Sequence, residues 1–503
     1  MNLKIEINKN NLMKFIKKIK EKFPVSSIKI DLNKKEFISS VLFLSIIYVL
    51  AISSIIRANF SYIDDLRRSI EGNALGGSFS RHISNFLGYF IHAGGITDIS
   101  PLPQLVACFI LAITGFLLVK IICNKTNYWL LIASLPLGIS PYFLECFSYK
   151  FDAPYMAISI LASVFPFIFM NKNRWLFSVI CLLSTLVMTM TYQAASGIFL
   201  MLTLYVFFTN LNYKRTTLKK NFIFLCISLI SFCVAILMFR LWFMIPNESG
   251  SYVSTEMTKF TNLITVFLHN LYVYSSNIII DFNLEWKILL LVIITIYYVK
   301  TVIQSKINKI LTFFLTPIFL FLLFLSAFGL YLLLISPFYG PRAVYGFGAF
   351  IAILCIDIVF SLKKIFAIPV ITLIWCFFVF YFSYGNVLAD QKRYNDFRNE
   401  LLLKDLSSLL PKKTDTGYSI KIINNEGLSR VAKHSINKYP IIRKLVPIYL
   451  QEGWAFGCIY LTAYNNFQLT RDEDIEDETM PVVFDSYYHT IKYNNNQVVV
   501  ILK

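Results

Sequence analysis

The sequence predicts a polytopic α-helical membrane protein, and three observations indicate this class. Of the 503 residues, 56% are hydrophobic, 16% are aromatic and only 15% are charged, whereas soluble domains carry about 25% charged residues. The mean hydropathy is +0.62. Apolar runs of about 20 residues, the length that one bilayer crossing needs, recur through most of the chain.

The apolar runs predict about 11 transmembrane helices. Two of them are joined at Gln193 by a very short turn, so a re-entrant hairpin over 175–210 is an alternative that leaves the sidedness of later helices unchanged. The predicted spans are 38–57, 101–122, 128–146, 153–171, 175–192, 194–210, 222–244, 285–303, 310–336, 346–362 and 365–384.

The basic residues predict the orientation, because short cytoplasmic loops are enriched in Lys and Arg. The lysine-rich segment 1–37 is predicted to be a cytoplasmic amphipathic segment on the membrane surface. The formal net charge of +18 then reflects sidedness and attraction to anionic lipid, not a nucleic-acid partner. The basic residues of alternate loops are Lys120, Lys125, Lys172, Arg174, Lys214, Arg215, Lys219, Lys220, Lys306, Lys309, Lys363 and Lys364.

With an odd number of spans, the chain after the last span lies on the outer side. The sequence therefore predicts a transmembrane domain over 38–384 and an outer C-terminal domain over 385–503. Short strand-like runs at Tyr418–Ile423 and Gln497–Leu502 indicate that this domain is small and mixed α/β. Two further outer regions are long enough to take part in chemistry, the loops 58–100 and 245–284.

Two carboxylates follow the first predicted span, Asp64 and Asp65. A partly shielded carboxylate can act as a general base towards an acceptor hydroxyl, because burial raises its pKa. Adjacent helical residues point about 100° apart, so only one of the two can face a given atom. The alternative is local ion pairing, since Arg67 and Arg68 follow Asp64 at helical spacing.

Three outer cations form a candidate phosphate site. Arg81 stands at the start of an apolar, helix-like stripe and could bind a phosphate through two hydrogen bonds, or simply reach from the interface into water. Lys150 and Arg342 lie in two other short outer loops. Lys150 could instead pair with Asp152, whereas Arg342 has no acidic residue near it in sequence. No metal site or cofactor is predicted, although the sequence does not exclude a requirement for a divalent metal.

Several strings in this order resemble the serotype-converting type II glucosyltransferases that modify bacterial O-antigen. The resemblance extends over about 40–460. In the first loop the family usually has an aromatic residue and Gly-Arg before the helix, whereas this chain has Phe79-Ser80-Arg81. The other matching strings are Asp64-Asp65-x-x-Arg68, Asp98-Ile-Ser-Pro101-Leu-Pro103-Gln104, Ser148-Tyr149-Lys150-Phe151-Asp152 with Met156, Thr191-Tyr192-Gln193, Tyr439-Pro440 and Gly453-Trp454.

The resemblance implies a GT-C-like glycosyltransferase of the bacterial inner membrane, with the N-terminus cytoplasmic and the C-terminal domain periplasmic. Such enzymes move a sugar, usually glucose, from polyprenyl (undecaprenyl) phosphate to lipid-linked O-antigen, and they work with a flippase and an enzyme that loads the donor lipid. It implies Asp64 or Asp65 as the base and Arg81, Arg342 and Lys150 at the donor phosphate. Further candidates are Arg68, Asp152, Tyr192 and Gln193.

Two other classes remain as alternatives. An O-antigen polymerase or ligase would have basic, acid-poor outer loops, and the Asp64-Asp65 pair favours the transferase. A transporter would have internal repeats and charges deep in the membrane. The sequence shows no convincing repeat, and its ionisable residues cluster at the outer mouths, with Asp357 and Arg240 as exceptions. No glycine-rich nucleotide loop is present, which agrees with a lipid-borne donor. Acceptor choice is expected to depend on the 245–284 loop and the C-terminal domain.

Overall fold

The computed structural model describes residues 33–73, 79–245, 256–410, 417–463, 468–476 and 478–503. Most of the predicted amphipathic segment 1–37 lies outside these residues, as does 246–255 of the predicted outer loop. The described chain forms a helical bundle and a small sheet, and the helices are α1 (Lys34–Ala58), α2 (Asp65–Glu71), α3 (His82–Ile91), α4 (Leu102–Cys123), α5 (Tyr128–Ser134), α6 (Pro136–Ile139), α7 (Leu144–Ser148), α8 (Ala153–Val164), α9 (Arg174–Thr191), α10 (Ser196–Asn212), α11 (Leu218–Met238), α12 (Leu263–Asp281), α13 (Leu284–Ile303), α14 (Lys309–Ser326), α15 (Gly346–Ser361), α16 (Ile368–Leu409), α17 (Arg430–Lys438), α18 (Ile442–Leu445) and α19 (Phe456–Thr462).

Nine helices in the described ranges are long and apolar enough to cross a membrane, which confirms the prediction of a polytopic membrane protein. Three shorter apolar helices, Tyr128–Ile139, Ala153–Phe169 and Gly346–Ser361, accompany them. The number differs from the predicted 11 because three predicted spans, 128–146, 153–171 and 346–362, form only these shorter helices. One further candidate, Phe260–Asp281, lies in a region that was predicted to be a loop.

The bundle has two distinct ends. At one end, which we call the carboxylate end, Ala58 leads from α1 to Asp64, and Arg342 contacts Glu145. At the other, which we call the basic end, the start of α1 meets the end of α4 through an ion pair between Glu36 and Lys120, 2.7 Å apart. Five helices that begin at the basic end are capped by side chains that accept a backbone N–H of the first turn; these caps are Asn33, Asn127, Asn173, Thr217 and Asn308.

The region 245–284, predicted to be a loop, contains α12, so that prediction is wrong for its described part. Counted with its initial 3₁₀ turn, Phe260–Asp281 has the length and hydropathy of a membrane span. Yet both ends contact the carboxylate end: Met257 bridges to Leu334, and Asp281 pairs with Lys444 at 2.8 Å. Helix α12 thus follows this end of the bundle, and composition alone could not separate such a helix from a crossing one.

The last long helix, α16, passes through the predicted domain boundary at residue 384 without interruption. Its 42 residues extend about 63 Å at 1.5 Å per residue, roughly twice the hydrocarbon thickness of a bilayer. It packs along α1, where the Ser54 hydroxyl donates to the Tyr381 carbonyl at 3.0 Å. A Cβ at Gly385 would lie 2.3 Å from the Ser54 hydroxyl, so this close approach requires glycine.

The C-terminal region forms a five-stranded mixed sheet, as the strand-like runs predicted. Strands β1 (Tyr418–Ile423) and β5 (Gln497–Leu502) coincide with the two predicted runs. The others are β2 (Leu469–Arg471), β3 (Val482–Asp485) and β4 (His489–Asn494), and the order is β2-β1-β5-β4-β3. Strand β1 is parallel to β2 and β5, and the other pairs are antiparallel. The hydrophobic core of the sheet packs against Leu402 and Leu406 in the last turns of α16.

Candidate active site

Asp65 is an architectural carboxylate. It is fully buried at the first turn of α2 and accepts backbone N–H groups from Tyr62 at 2.9 Å and from Lys150 at 3.0 Å. These two bonds join the start of the first loop to the segment before α8. Burial, reinforced by the charge of Asp64, raises the pKa of the Asp65 carboxyl well above its usual range.

Asp64 differs from its neighbour. Its Oδ1 is buried and has no hydrogen-bond partner within the described chain, and the side chain makes no capping bond to α2. Burial first, and then the charge of Asp152, raise the pKa of the Asp64 carboxyl, while Arg68 and Arg342 oppose the rise. A carboxylate with a free oxygen and a raised pKa is suited to accept a proton from a substrate.

The arginines after Asp64 do not pair with it. Arg67 contacts Glu71 at 2.8 Å, and Arg68 contacts Asp152 at 2.7 Å while its guanidinium lies over the Phe151 ring at 4.7 Å. The alternative of local pairing between Asp64 and these arginines is therefore wrong. The Arg68–Asp152 pair instead connects the first loop to the N-terminus of α8.

Arg81 makes no ion pair with an acidic side chain in the part of the chain that the structure describes. Its guanidinium lies over the Tyr192 ring at 4.4 Å and over the Phe79 ring at 5.0 Å. The Nε atom is buried and lacks a hydrogen-bond partner among the residues that the structure describes. Gln193 supports the arrangement, since its Nε2 donates to the Phe79 carbonyl at 3.4 Å. Arg81 thus keeps donor capacity for a bound anion.

One small cavity, of about 40 Å³, brings these groups together. Its walls include five of the predicted site residues: Asp64, Arg68, Arg81, Asp152 and Tyr192. Tyr155 also lines it and was not predicted; it follows Asp152 by three residues, so its position on the same helical face was a usable signal. The helix α3, predicted after Arg81, closes one side, and Gly88 lets it approach the Tyr155 hydroxyl, which would lie 3.2 Å from an added Cβ.

Lys150 lies elsewhere. Its Nζ pairs with Asp98 at 3.3 Å, so the alternative of a Lys150–Asp152 pair is wrong. The chain turns between positions 150 and 152, which separates the two side chains. Lys150 lines a second cavity, of about 250 Å³, together with Gln104, whose buried Oε1 has no hydrogen-bond partner in the described ranges.

Arg342 has an acidic partner that is distant in sequence. Its backbone N–H and its guanidinium both donate to Glu145, at 2.7 and 3.2 Å, and the guanidinium also lies over the Phe338 ring at 4.6 Å. Burial raises the pKa of the Glu145 carboxyl, and Arg342 opposes that rise. No acidic residue lies near Arg342 in the sequence, as noted, but the fold brings Glu145 into contact with it.

The backbone is strained directly before each of the two free groups. Ile63, before Asp64, has φ 48°, and Ser80, before Arg81, has φ 58°. Such left-handed conformations cost about 1–2 kcal/mol in residues with a Cβ. Glycine would adopt either conformation readily, because it has no Cβ. Strain of this kind persists where surrounding contacts fix the backbone.

At Ile63 those contacts come from the C-terminal region, whereas the Ser80 hydroxyl accepts the Ile245 N–H at 2.8 Å. Tyr62 and Tyr384 both donate from their hydroxyls to the Leu445 carbonyl, at 3.0 and 3.1 Å. The Tyr449 hydroxyl donates to the Ser61 carbonyl. The segment 445–449 thereby holds the residues just before Ile63 and Asp64. These contacts could not be predicted from the sequence, because Tyr62 and Ser61 lie more than 380 positions from their partners Leu445 and Tyr449.

Within the part of the chain that the structure describes, no group of three or more His, Cys, Asp or Glu side chains is placed to hold a metal ion. His82 and His92, the histidines of the first loop, contact backbone carbonyls of Phe243 and Gly88. That the protein has no metal site stays a prediction.

The fold and the cavity define a class: a helical membrane protein with a polar site at one end of its bundle, where a free carboxylate and a free guanidinium meet. Residues 53–353, more than half of the chain, match the family described as Glucosyl transferase GtrII, and the chain belongs to this family. This confirms the resemblance to serotype-converting glucosyltransferases and makes the chain a member of a glycosyltransferase family.

A relative from Salmonella phage P22 supports this assignment. Its name is "Uncharacterized 55.3 kDa protein in gtrB 5'region", and it is 24% identical over 451 residues, which cover 86% of this chain and 90% of the relative. No solved structure matches the chain.

Proposed function

We propose that this protein transfers glucose from polyprenyl phosphate to lipid-linked O-antigen on the periplasmic face of the bacterial inner membrane, with a GT-C-like fold. In this proposal the N-terminus is cytoplasmic and the C-terminal domain periplasmic. Family membership supports the transferred sugar and the O-antigen acceptor. A flippase and an enzyme that loads the donor lipid are the expected functional partners.

The observation that carries the proposal is the cavity that Asp64 and Arg81 share. The acceptor hydroxyl oxygen bonds to the anomeric carbon, and the bond from that carbon to the phosphate oxygen breaks with its electron pair remaining on phosphate. The hydroxyl proton passes to Asp64 Oδ1. Arg81 donates hydrogen bonds to the departing phosphate, whose charge develops as the bond breaks. No nucleotide has to bind, because the donor is a lipid.

The remaining predicted residues take supporting roles. In this proposal Asp65 and the Arg68–Asp152 pair hold the first loop in place, and Arg342, which pairs with Glu145, supports the architecture of the site. A cavity of about 40 Å³ holds a few water molecules and no hexose. The short helix α3, whose Phe86 and Phe90 are exposed, is the element that we expect to move when a sugar binds.

The transporter alternative gains no support from the buried charges. Asp357, the acidic residue within α15, pairs with Lys300 of α13 at 2.7 Å. A charge that is already paired between two helices is accounted for by their packing. Arg240 lies in the π-helical turn Phe239–Phe243 at the end of α11.

The experiment that tests the proposal is chemical analysis of lipopolysaccharide from cells with and without this gene. We expect one additional glucose per O-antigen repeat when the gene is present. The addition should disappear in cells that lack the enzyme loading glucose onto polyprenyl phosphate. Unaltered lipopolysaccharide in a host whose O-antigen can be glucosylated, or glucose addition without the loaded lipid, would contradict the proposal.

A further inference from the structure

A large cavity lies at the basic end of the bundle, opposite the candidate active site. Its volume is about 710 Å³, and its walls come from the ends of α9, α10 and α11. Asparagine and threonine side chains supply hydrogen-bonding groups, among them Thr209 and Asn221. Five cations line it and no acidic residue of the described chain does; they are Lys172, Arg174, Lys214, Arg215 and Lys220.

The five cations have no ion-pair partner within the described ranges. This contrasts with Lys120, at the same end, which pairs with Glu36 at 2.7 Å. Arg215 lies over the Tyr213 ring at 5.3 Å, a contact that leaves its N–H groups available. Five like charges around one cavity repel one another, and an anion in the cavity would relieve that repulsion.

The local backbone adds to the positive potential. Arg174 is the first residue of α9 and Lys220 lies in the first turn of α11, so two helix N-termini open into the cavity. A cation beside a helix N-terminus is unfavourable, because the helix dipole is positive there. The same N-termini favour a bound phosphate. The positive charges around the cavity therefore repel one another when the cavity is empty and attract an anion that enters it.

An apolar cavity of about 380 Å³ adjoins the cationic one. The two share Lys214, Thr216 and Asn221 as their common border. The Thr216 hydroxyl at this border is buried and has no hydrogen-bond partner among the described residues. The apolar walls are Leu211, Leu218, Ile307, Leu311 and Leu315.

We propose that the two cavities together bind an anionic membrane lipid. The phosphate headgroup lies among the five cations with the Thr216 hydroxyl as a donor, and an acyl chain lies in the apolar cavity. A soluble phosphate would satisfy the cations and leave the apolar cavity unexplained. A lipid fills both, because it joins a phosphate to a hydrocarbon chain over a short distance.

The test uses the purified full-length protein in detergent, titrated with phosphatidylglycerol and with zwitterionic phosphatidylcholine, with retained lipid measured by native mass spectrometry. The site variant combines Lys172→Gln, Arg174→Gln and Lys220→Gln. The control variant removes the same charge at the same end but outside the cavity, through Lys125→Gln, Lys309→Gln and Lys364→Gln.

We expect phosphatidylglycerol to bind the wild type at least tenfold more tightly than phosphatidylcholine. The site variant should lose at least tenfold in phosphatidylglycerol affinity, and the control variant less than threefold. Equal binding of the two lipids to the wild type, or equal losses in the two variants, would overturn the proposal. Inorganic phosphate that displaces phosphatidylglycerol at equal concentration would also overturn it, because the site would then be one for a free anion.

Discussion

At the carboxylate end of the bundle, cations near the site pair with carboxylates, whereas the described residues that line the cationic cavity at the basic end include five cations and no acid. Arg68 pairs with Asp152, Lys150 with Asp98 and Arg342 with Glu145. Arg81 and Asp64, which line the candidate site, are the exceptions there among the described residues. The difference teaches a rule for the charges around these cavities: paired charges position the backbone, and unpaired charges are placed to meet a ligand.

The largest expected effect tests the unpaired carboxylate. Asp64→Asn should lower glucose transfer by about 10²–10⁴-fold, the contribution of a general base, without loss of stability, because Asp64 Oδ1 has no hydrogen bond to lose. Transfer in isolated membranes and thermal unfolding check the two parts. The matched control is Asp65→Asn, whose amide oxygen can still accept the N–H groups of Tyr62 and Lys150, and its transfer should fall less than tenfold. Equal activity of Asp64→Asn and the wild type would remove Asp64 as the base.

The second prediction tests a paired cation. Arg342→Ala should destabilise the protein by about 3–5 kcal/mol, because it leaves the buried Glu145 without its partner. The double variant Arg342→Met with Glu145→Gln should recover most of that stability and retain transfer. Thermal unfolding and transfer rates measure both. A stable double variant that no longer uses the donor lipid would instead place Arg342 at the phosphate and break the rule.

The third prediction tests the unpaired cation of the site. Arg81→Ala should raise the KM for the donor lipid by roughly 10–100-fold, the loss of a charge-assisted hydrogen bond. The KM of Arg81→Lys should lie between those of the wild type and Arg81→Ala, since lysine keeps the charge without the planar pair of donors. Steady-state kinetics with varied donor at fixed acceptor separate the two variants. An unchanged KM in Arg81→Ala would move the phosphate site elsewhere.

The fourth prediction concerns pH. A base must be deprotonated to act, and burial raises the pKa of Asp64. The transfer rate should therefore fall as the pH decreases through a value above about 3.9, the ordinary pKa of an aspartate. A pH–rate profile at saturating substrate measures the inflection. A profile that stays flat down to the ordinary carboxylate range would contradict a raised pKa for the base.

The smallest expected effect lies in the C-terminal region. Glu426 accepts backbone N–H groups from Tyr449 and Leu450, both at 3.1 Å, and burial raises its pKa from 4.5 to about 7. Because the folded state holds this proton more strongly than the unfolded state, stability is highest below pH 4.5 and falls as the pH rises to about 7. In Glu426→Gln the melting temperature should vary less between pH 5 and pH 8 than in the wild type, by about a few degrees. Identical pH dependence in both proteins would exclude Glu426 as the titrating group.

Local sequence signals predicted much of the fold. Hydropathy identified the membrane class, and short strand-like runs identified β1 and β5 with their correct bounds. Helix α12 was not predicted, because an apolar helix that lies along one end of a bundle has the same composition as one that crosses the membrane. Helix α16 continues across the predicted boundary at 384 and ends at Leu409, so the helix itself does not mark that boundary.

The candidate site shows a similar division. The sequence placed Asp64, Arg68, Arg81, Asp152 and Tyr192 among its candidates, and the structure brings them to one cavity. It could not separate Asp64 from Asp65, because their difference depends on which one meets the backbone of Lys150, 85 positions away. Nor could it find the Arg342–Glu145 pair, whose members are 197 positions apart. Long-range pairing, not residue type, decides which charges are free.

The most direct measurement of the central claim is glucose transfer by purified protein, with glucose-labelled polyprenyl phosphate as donor and lipid-linked O-antigen as acceptor. The account predicts transfer by the wild type and by Asp65→Asn, and loss of transfer in Asp64→Asn at unchanged thermal stability. Transfer by Asp64→Asn at the wild-type rate would contradict it.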